Sequence, residues 1–233
     1  VDVVMWPYIR EFSDRSVPKT IFQGRKLFDE TACHKLQRCL IGLSGEELAH
    51  PENADALSTV WGKLYRGEII KQNHLRFEDL SRIGTYEDGL FNLCYFAHVK
   101  SAIYIPDYLN HYRKNTGMTS KYRSQLTSQW KTLFSDIRVY IEKNGNDSDF
   151  KKALDNRISL SIIGLGLNAL ALPNREALTE IRNVLSNQEY RAAIKALPMR
   201  YFPPHWWAFF ACCKLNFSVG VFLLLKCMER MKG

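Results

Sequence analysis

A change in hydrophobic pattern near residue 123 constrains the fold of this chain more than any other feature. Before this point, short apolar runs with strand-like alternation are interleaved with stretches of helical periodicity, which is typical of α/β or α+β domains. After it, the pattern is helical only. We therefore predict a mixed domain over residues 1–123 and an all-helical region over residues 124–233, with helices at 124–143, 149–171, 175–185 and 187–196.

The first 22 residues predict strands. The apolar run 1–12 and the segment 18–22 flank a polar turn at residues 13–16, so we expect a hairpin with a loose loop. Residues 1–8 have the composition of an interior strand and lack the basic start and cleavage site of a signal peptide. We expect the sheet neighbours of this strand to be absent or to come from another chain.

Strands and helices alternate over the rest of the mixed domain. Trp61 and Lys63 are two residues apart in a predicted strand and are therefore expected on one face of it. Trp61 can stack on a ligand ring or lie in the core, and Lys63 is the better candidate for a functional role. The predicted helices are 28–42, 66–73 and 85–98, and the predicted strands are 58–64, 102–105 and 108–112.

Composition indicates a folded protein. Hydrophobic residues make up 46% of the 233, which excludes a disordered or low-complexity chain. The six cysteines show neither a Cys-x-x-Cys pair nor the spacing of a zinc site. We expect reduced, mostly buried thiols and a cytoplasmic location.

The last 52 residues are basic and aromatic. From Arg182 onward there are eight Lys and Arg and two Glu, so this segment carries +6 of the net charge of +8. Its longest uninterrupted apolar run, residues 217–225, is short against the ~20 residues that a membrane-spanning helix needs. We expect a peripheral anchor on an anionic membrane surface, with a core helix as the other interpretation. No nucleic-acid-binding module is present, so no nucleic acid partner is expected.

Two adjacent carboxylates, Glu87 and Asp88, lie in the first turn of the predicted 85–98 helix. Acidic residues at this place complement the helix dipole, and Thr85 can cap the helix, so a structural role is sufficient to explain them. A carboxylate at a helix start that faces a cleft can also accept a proton from a substrate hydroxyl. Both interpretations are open from these residues alone.

A polar loop at residues 115–120 follows the last predicted strand and is flanked by cations. Such a loop can bind a diphosphate or can be a solvated basic turn. His111, at the end of the strand, can assist phosphate or metal binding or fill a packing position. The flanking cations are Arg113, Lys114, Lys121 and Arg123.

Five short motifs occur in order between residues 58 and 120. At this order and spacing they resemble the C-terminal half of bacterial-type glycosyltransferases of family 2, and residues 1–22 resemble the strand pair that follows that family's metal-binding Asp-x-Asp. Several motifs in one order are more specific than any one of them. The motifs are Trp61-Gly62-Lys63-Leu64-Tyr65-Arg66, Arg76-Phe77, Tyr86-Glu87-Asp88-Gly89, Leu109-Asn110-His111-Tyr112-Arg113 and Gly117-Met118-Thr119.

The resemblance implies a partial GT-A nucleotide-sugar transferase fold followed by a helical tail. The implied activity is inverting transfer of a sugar from a nucleotide-sugar donor to a saccharide or lipid-linked acceptor in cell-surface polysaccharide synthesis. Asp88 matches the family's general base, with Glu87 as its neighbour. Arg113 and Thr119 are implied to bind the diphosphate, and the predicted substrate site is completed by Trp61, Lys63 and His111.

The chain departs from the family before residue 58. Neither a glycine-rich phosphate loop nor the Asp-x-Asp that binds Mg²⁺ or Mn²⁺ is found there. We expect both in residues that precede Val1, so that this chain is a fragment without its own metal ligands and is inactive by itself. The expected location is the inner face of the cell membrane. The alternative is a non-catalytic membrane-surface or interaction module with a basic helical tail.

Overall fold

The computed structural model describes residues 1–113, 121–145 and 147–232. The chain divides into two compact units: one comprises Val1–Ile41 and Asn53–Gly117, and the other comprises Gly42–Glu52 and Met118–Gly233. The first unit mixes strands with short helices, whereas the described part of the second is built from helices. The predicted mixed fold with a helical C-terminal region is thereby confirmed. The exact boundary near residue 123 stays a prediction.

A four-stranded sheet forms the base of the first unit. Its order is β4-β6-β1-β5, in which β1 (Val3–Met5) is interior, parallel to β6 (Ala102–Tyr104) and antiparallel to β5 (Lys63–Tyr65). The edge strand β4 (Lys26–Phe28) runs antiparallel to β6. The expectation that the neighbours of the first strand are absent or foreign is therefore wrong. Both neighbours come from this chain, one of them about a hundred residues away in sequence.

A second, three-stranded sheet has the order β3-β2-β7. The strands β2 (Tyr8–Glu11) and β3 (Ser16–Lys19) form the predicted hairpin, and β7 (Asn110–Arg113) lies parallel to β2. The apolar run 1–12 is divided between the two sheets at Trp6 and Pro7. Since proline has no backbone N–H to donate to a ladder, it suits this exit from the first sheet.

Helices cover the first sheet and supply its core. α1 (Glu30–Ile41) packs against α4 (Glu87–Phe96), and α2 (Gly67–Gln72) and α3 (Leu80–Ile83) lie between β5 and α4 in sequence. Gln37 donates to the Leu93 carbonyl across the α1–α4 contact at 3.1 Å. The fully buried core side chains of this unit include Met5, Leu40, Leu93, Tyr95 and Tyr104.

Two local predictions in this unit are wrong. Residues 58–62 form turns rather than the start of a strand, so Trp61 and Lys63 do not share a strand face. Helix α4 is preceded by Tyr86, which has a left-handed backbone (φ 76°), and not capped by Thr85. The tyrosine tolerates this conformation because its buried hydroxyl is held by the Leu40 carbonyl.

The second unit is organised around a central helix. The predicted helices correspond to α5 (Leu126–Lys143), α6 (Ser148–Ala169), α7 (Asn174–Ser186) and α8 (Gln188–Ala196). α6 packs against α5, α7 and α8, and also against α10 (Ser218–Lys232). Close approach at the last contact requires glycine, because a Cβ at Gly166 would lie 2.3 Å from Leu225. Short 3-10 helices occur at Gly45–Ala49, Pro51–Asn53 and Met199–Tyr201.

The aromatic tail is a helical hairpin of α9 (Pro204–Lys214) and α10. Asn216, with a positive φ of 56°, lies in the connection. The inner side of the hairpin is fully buried in the core of the second unit, and its outer side leaves large apolar side chains exposed. Within the described residues, no helix combines the length and hydropathy needed to cross a membrane. The buried side chains are Phe209, Phe210, Cys213, Val221 and Leu225, and the exposed ones are Trp207, Leu215, Phe217, Val219 and Leu223.

Candidate functional site

Asp88 lies in the first turn of α4, half-buried, beside the 57–62 segment. Its Oδ2 accepts a hydrogen bond from the Val60 backbone N–H at 3.2 Å. Among the described residues nothing donates a hydrogen bond to its other oxygen, Oδ1. Glu87 precedes it, and its side chain makes no hydrogen bond or ion pair with the described part of the chain. The helix start thus presents one oriented carboxylate, with one oxygen held and one available to accept a proton.

Lys63 lies at the start of β5 with only 7% of its surface exposed. Its ammonium group points back into the preceding turn and donates to the carbonyls of Leu57, at 2.7 Å, and Thr59. Burial lowers the pKa of this amine to about 7, and the nearby Asp88 carboxylate opposes that shift. The side chain of Lys63 is therefore directed into the protein, where backbone carbonyls bind its amine.

Asn92, one turn after Asp88, is completely buried and hydrogen-bonded on both sides of its amide. Nδ2 donates to the Ser58 carbonyl at 2.7 Å and to the Asp88 carbonyl at 2.8 Å. Oδ1 accepts from the Tyr65 hydroxyl at 2.8 Å, and burial raises the pKa of that phenol. Sequence reasoning missed Asn92. The signal was present, since an amide stands four residues after an acid inside an otherwise apolar helix.

Trp61 belongs to an aromatic cluster. Its ring is stacked on Tyr112 of β7, with centroids 5.4 Å apart and planes at 6°, and meets the edge of Tyr8 at 4.6 Å. Tyr112 is 47% exposed and was also missed. Since the indole fixes one face of the tyrosine ring, the cluster presents a preorganised aromatic surface next to the turn that holds Asp88.

His111 and Arg113 lie on the other face of the three-stranded sheet from Tyr112, because successive residues of a strand point to opposite sides. His111 Nδ1 is 2.6 Å from Glu11 Oε1. Hydrogen bonds from Ser16 and His111 hold the pKa of the Glu11 carboxyl below its usual value. Among the described residues, neither His111 nor Arg113 makes a hydrogen bond or ion pair with Asp88, Lys63 or Asn92. Thr119 lies outside the described residues.

No metal centre is formed by the part of the chain that the structure describes. Within it, no three His, Cys, Asp or Glu side chains converge closely enough to bind an ion. A catalytic Mg²⁺ or Mn²⁺ is usually held by one or two carboxylates together with substrate phosphates and water. The prediction that such a metal is bound by residues outside this chain stays a prediction, and the chemistry below uses only the side chains described.

Comparison with known proteins finds similarity both in sequence and in structure. No protein-family model matches the chain. Over 126 residues it is 26% identical to the putative glycosyltransferase EpsH of Bacillus subtilis (strain 168), an alignment that covers 53% of this chain and 37% of EpsH. The crystal structure of residues 1–349 of S. aureus TarS in complex with UDP-GlcNAc superimposes with a TM-score of 0.51 at 16% identity, over 98% of this chain and 60% of that one.

These similarities define the class of fold. The predicted GT-A-type architecture with a helical C-terminal region is confirmed by the TarS superposition, and the predicted similarity to glycosyltransferases is confirmed by EpsH. The chain spans about a third of the length of EpsH and 60% of the TarS chain. Assignment to family 2, and the roles of individual site residues, stay predictions.

Proposed function

We propose that this chain carries the acceptor-side catalytic residues of an inverting glycosyltransferase. The observation that carries the proposal is the geometry of Asp88, whose Oδ2 is held by the Val60 N–H while Oδ1 receives no hydrogen bond from the described residues. A hydroxyl that approaches this oxygen can lose its proton as it reacts. Similarity to the putative glycosyltransferase EpsH supports the reaction class.

In the proposed reaction, the acceptor oxygen forms a bond to the anomeric carbon of the donor sugar. The bond from that carbon to the diphosphate oxygen breaks, and its electron pair leaves with the nucleoside diphosphate. The acceptor's hydroxyl proton passes to Asp88. Attack from the face opposite the leaving group inverts the anomeric centre. Glu87 supports the base from the neighbouring position in the first helical turn.

For the substrates, we propose a nucleotide-sugar donor and a saccharide or lipid-linked acceptor. UDP-GlcNAc is the first donor to test, because it is the ligand of the TarS structure. The Trp61–Tyr112 stack provides an apolar ring surface against which the C–H face of a sugar can pack. His111, Arg113 and Thr119 remain the proposed phosphate-binding residues, and Mg²⁺ or Mn²⁺ remains the proposed cofactor.

We also propose that the tail attaches the protein to the inner face of the membrane. The exposed side of the α9–α10 hairpin presents Trp207, Phe217 and Leu223. In α10, the amine of Lys226 lies 4.8 Å from the Phe222 ring. Aromatic and aliphatic groups beside cations suit the interface of an anionic membrane. Binding without catalysis would correspond to the alternative function, a membrane-surface module.

The test of membrane attachment uses point variants, since deletion of the tail would also remove the core residues Phe209 and Phe210. Trp207→Ser, Phe217→Ser and Leu223→Ser together should release the protein from vesicles that contain phosphatidylglycerol. Val139→Ser, which changes an exposed apolar residue of α5, is the control. Equal flotation of the triple variant and the control would show that the tail does not anchor the protein.

The test of catalysis is Asp88→Asn in the native protein. The amide oxygen can still accept the Val60 N–H, so the melting temperature should hold while sugar transfer falls ~100-fold or more. Asp79→Asn is the matched control, because Asp79 also accepts a backbone N–H, that of Ser81 at 2.8 Å, at the start of a helix. Glu87→Gln should have a smaller effect. Near-normal transfer by Asp88→Asn would reject the assignment.

A further inference from the structure

The 57–62 segment lacks regular secondary structure, yet its polar backbone groups are met by side chains from two other elements. The carbonyls of Leu57 and Thr59 accept from Lys63, at the first position of β5, and the carbonyl of Ser58 accepts from Asn92, in the middle of α4. Three consecutive carbonyls are therefore bound by buried donors. The next residue, Val60, donates its N–H to Asp88.

Burial of the two donors, the Lys63 amine and the Asn92 amide, costs free energy unless they are hydrogen-bonded. Asn92 has no exposed surface and Lys63 has 7%. A buried amide or ammonium group that is not hydrogen-bonded is strongly unfavourable, so these side chains stabilise the protein only while the turn keeps its present path. Displacement of the turn would leave the Lys63 amine and the Asn92 amide without these acceptors, so the turn is held in one conformation.

The same turn carries two parts of the candidate site. Val60 fixes the Asp88 carboxylate by a backbone hydrogen bond, and the adjacent Trp61 fixes the Tyr112 ring by stacking. Asn92 also binds the Asp88 carbonyl, so it ties the turn and the first turn of α4 to each other. The base and the aromatic surface are therefore connected through one clamped segment.

We propose that Lys63 and Asn92 are positioning residues, which clamp residues 57–62 against the start of α4 and thereby set both the direction of the Asp88 carboxylate and the position of the Trp61 ring. This inference rests on the proposed function for its catalytic consequence, but not for its structural one. We therefore assign Lys63 a positioning role instead of the predicted contact with substrate. Its amine is bound by two carbonyls of the preceding turn and faces inward.

Two neighbouring tyrosines provide a matched pair of variants. Tyr65→Phe removes the hydroxyl that orients the Asn92 amide, whereas Tyr95→Phe removes one that donates to the Asp2 carbonyl at 2.6 Å and takes no part in the clamp. The two rings are 4.8 Å apart, so both changes alter the same layer of the structure. Lys63→Met is the stronger variant, and Tyr65→Phe keeps the test open if it does not fold.

Two readouts do not depend on catalysis. In protein labelled with 5-fluorotryptophan, the ¹⁹F signal of Trp61 should shift or broaden in Tyr65→Phe and stay in place in Tyr95→Phe. Hydrogen exchange of the Val60 amide should accelerate in the first variant only. If the Trp61 signal and the Val60 exchange rate are unchanged in Tyr65→Phe and in Lys63→Met, the clamp does not exist as proposed.

The catalytic consequence is measured separately. Because a small misplacement of reacting groups slows an enzyme strongly, Tyr65→Phe should lower kcat by ~10-fold while Tyr95→Phe stays within about twofold of the wild type, at similar melting temperatures. A Trp61 shift in Tyr65→Phe with unchanged kcat would overturn the positioning role and leave the proposed function intact. An unaltered rate in Asp88→Asn would instead reject the proposed function.

Discussion

The start of α4 and the α9–α10 tail depart from ordinary burial in opposite directions. In and beside α4, polar side chains are buried: Asn92 of α4 has no exposed surface, and Lys63 of β5 has almost none. In the tail, apolar side chains are outside, with Leu215 79% and Phe217 53% exposed. Buried polar groups and clustered exposed apolar groups are the informative exceptions to the usual pattern, because each has a cost in free energy.

The comparison shows two different reasons for such exceptions. The buried amide and amine are hydrogen-bonded to protein groups, so their function is completed inside the molecule, by fixing a turn. The exposed apolar side chains of the tail are not covered by the unit that carries them, and we therefore propose that a membrane surface covers them. This distinction can be tested with variants of the buried and exposed faces of the tail, and with variants of the packing and the buried amine around the start of α4.

The largest effect is expected on the inner face of the tail. Phe210 is fully buried against Phe202 and Phe209, so Phe210→Ala should lower the free energy of unfolding by ~3–5 kcal/mol. Phe217→Ala, on the outer face, should change it by about 0.5 kcal/mol or less. Urea denaturation of the two variants measures the difference. Equal destabilisation would mean that both faces belong to a core and would remove the basis for the anchor.

The next effect concerns the close packing around the start of α4. A Cβ at Gly89 would lie 2.1–2.5 Å from the Tyr86 ring, whose hydroxyl is held by Leu40, so the ring cannot move freely. Gly89→Ala should therefore lower the free energy of unfolding by ~1–3 kcal/mol, as overpacking does. Gly67→Ala is the control, because a Cβ added at this position at the start of α2 would contact no non-neighbouring residue within 4 Å. A neutral Gly89→Ala would show that this helix start is mobile.

Local sequence patterns correctly predicted the helices and the hairpin, whose hydrogen bonds join residues that are close in sequence. The helices α5 to α8 were placed within a few residues, because amphipathic periodicity and Asn, Gly or Pro breaks act over short distances. The β2–β3 hairpin was predicted for the same reason. The neighbours of β1 were not, since pairing with β6 joins residues that are far apart in sequence and leaves no local signal.

The candidate site was predicted only in part, and the misses share a cause. Asp88 was predicted from its motif and its place in a helix start, and its catalytic role stays a prediction. Residues 58–62 were predicted as strand because Val60 and Trp61 favour strands, but side-chain hydrogen bonds from Lys63 and Asn92 override that propensity. Tyr112 was missed because its relation to Trp61 depends on the parallel pairing of β7 with β2. Tertiary contacts decide each of these positions.

The smallest expected effect, taken per pH unit, is a pH dependence of stability that comes from the buried amine. Burial lowers the pKa of Lys63 to about 7 in the native protein, against ~10.4 for an unperturbed lysine. Below pH 7 both states carry the proton. Between these values the unfolded state binds more protons, so the free energy of unfolding should rise with pH by up to ~1.4 kcal/mol per unit. The neutral amine keeps two N–H groups for its two carbonyl acceptors, so the clamp persists.

The measurement is urea denaturation of the wild type and Lys63→Met from pH 6.5 to 9, in which the other titrating groups largely cancel. The wild type should gain stability relative to the variant across this range. A constant difference would mean that Lys63 stays charged above pH 9, because hydrogen bonds to the carbonyls of Leu57 and Thr59 and the Asp88 carboxylate then offset its burial. That result would place a permanent cation beside the proposed base, so that Lys63 would stabilise ionised Asp88 electrostatically in addition to clamping the turn.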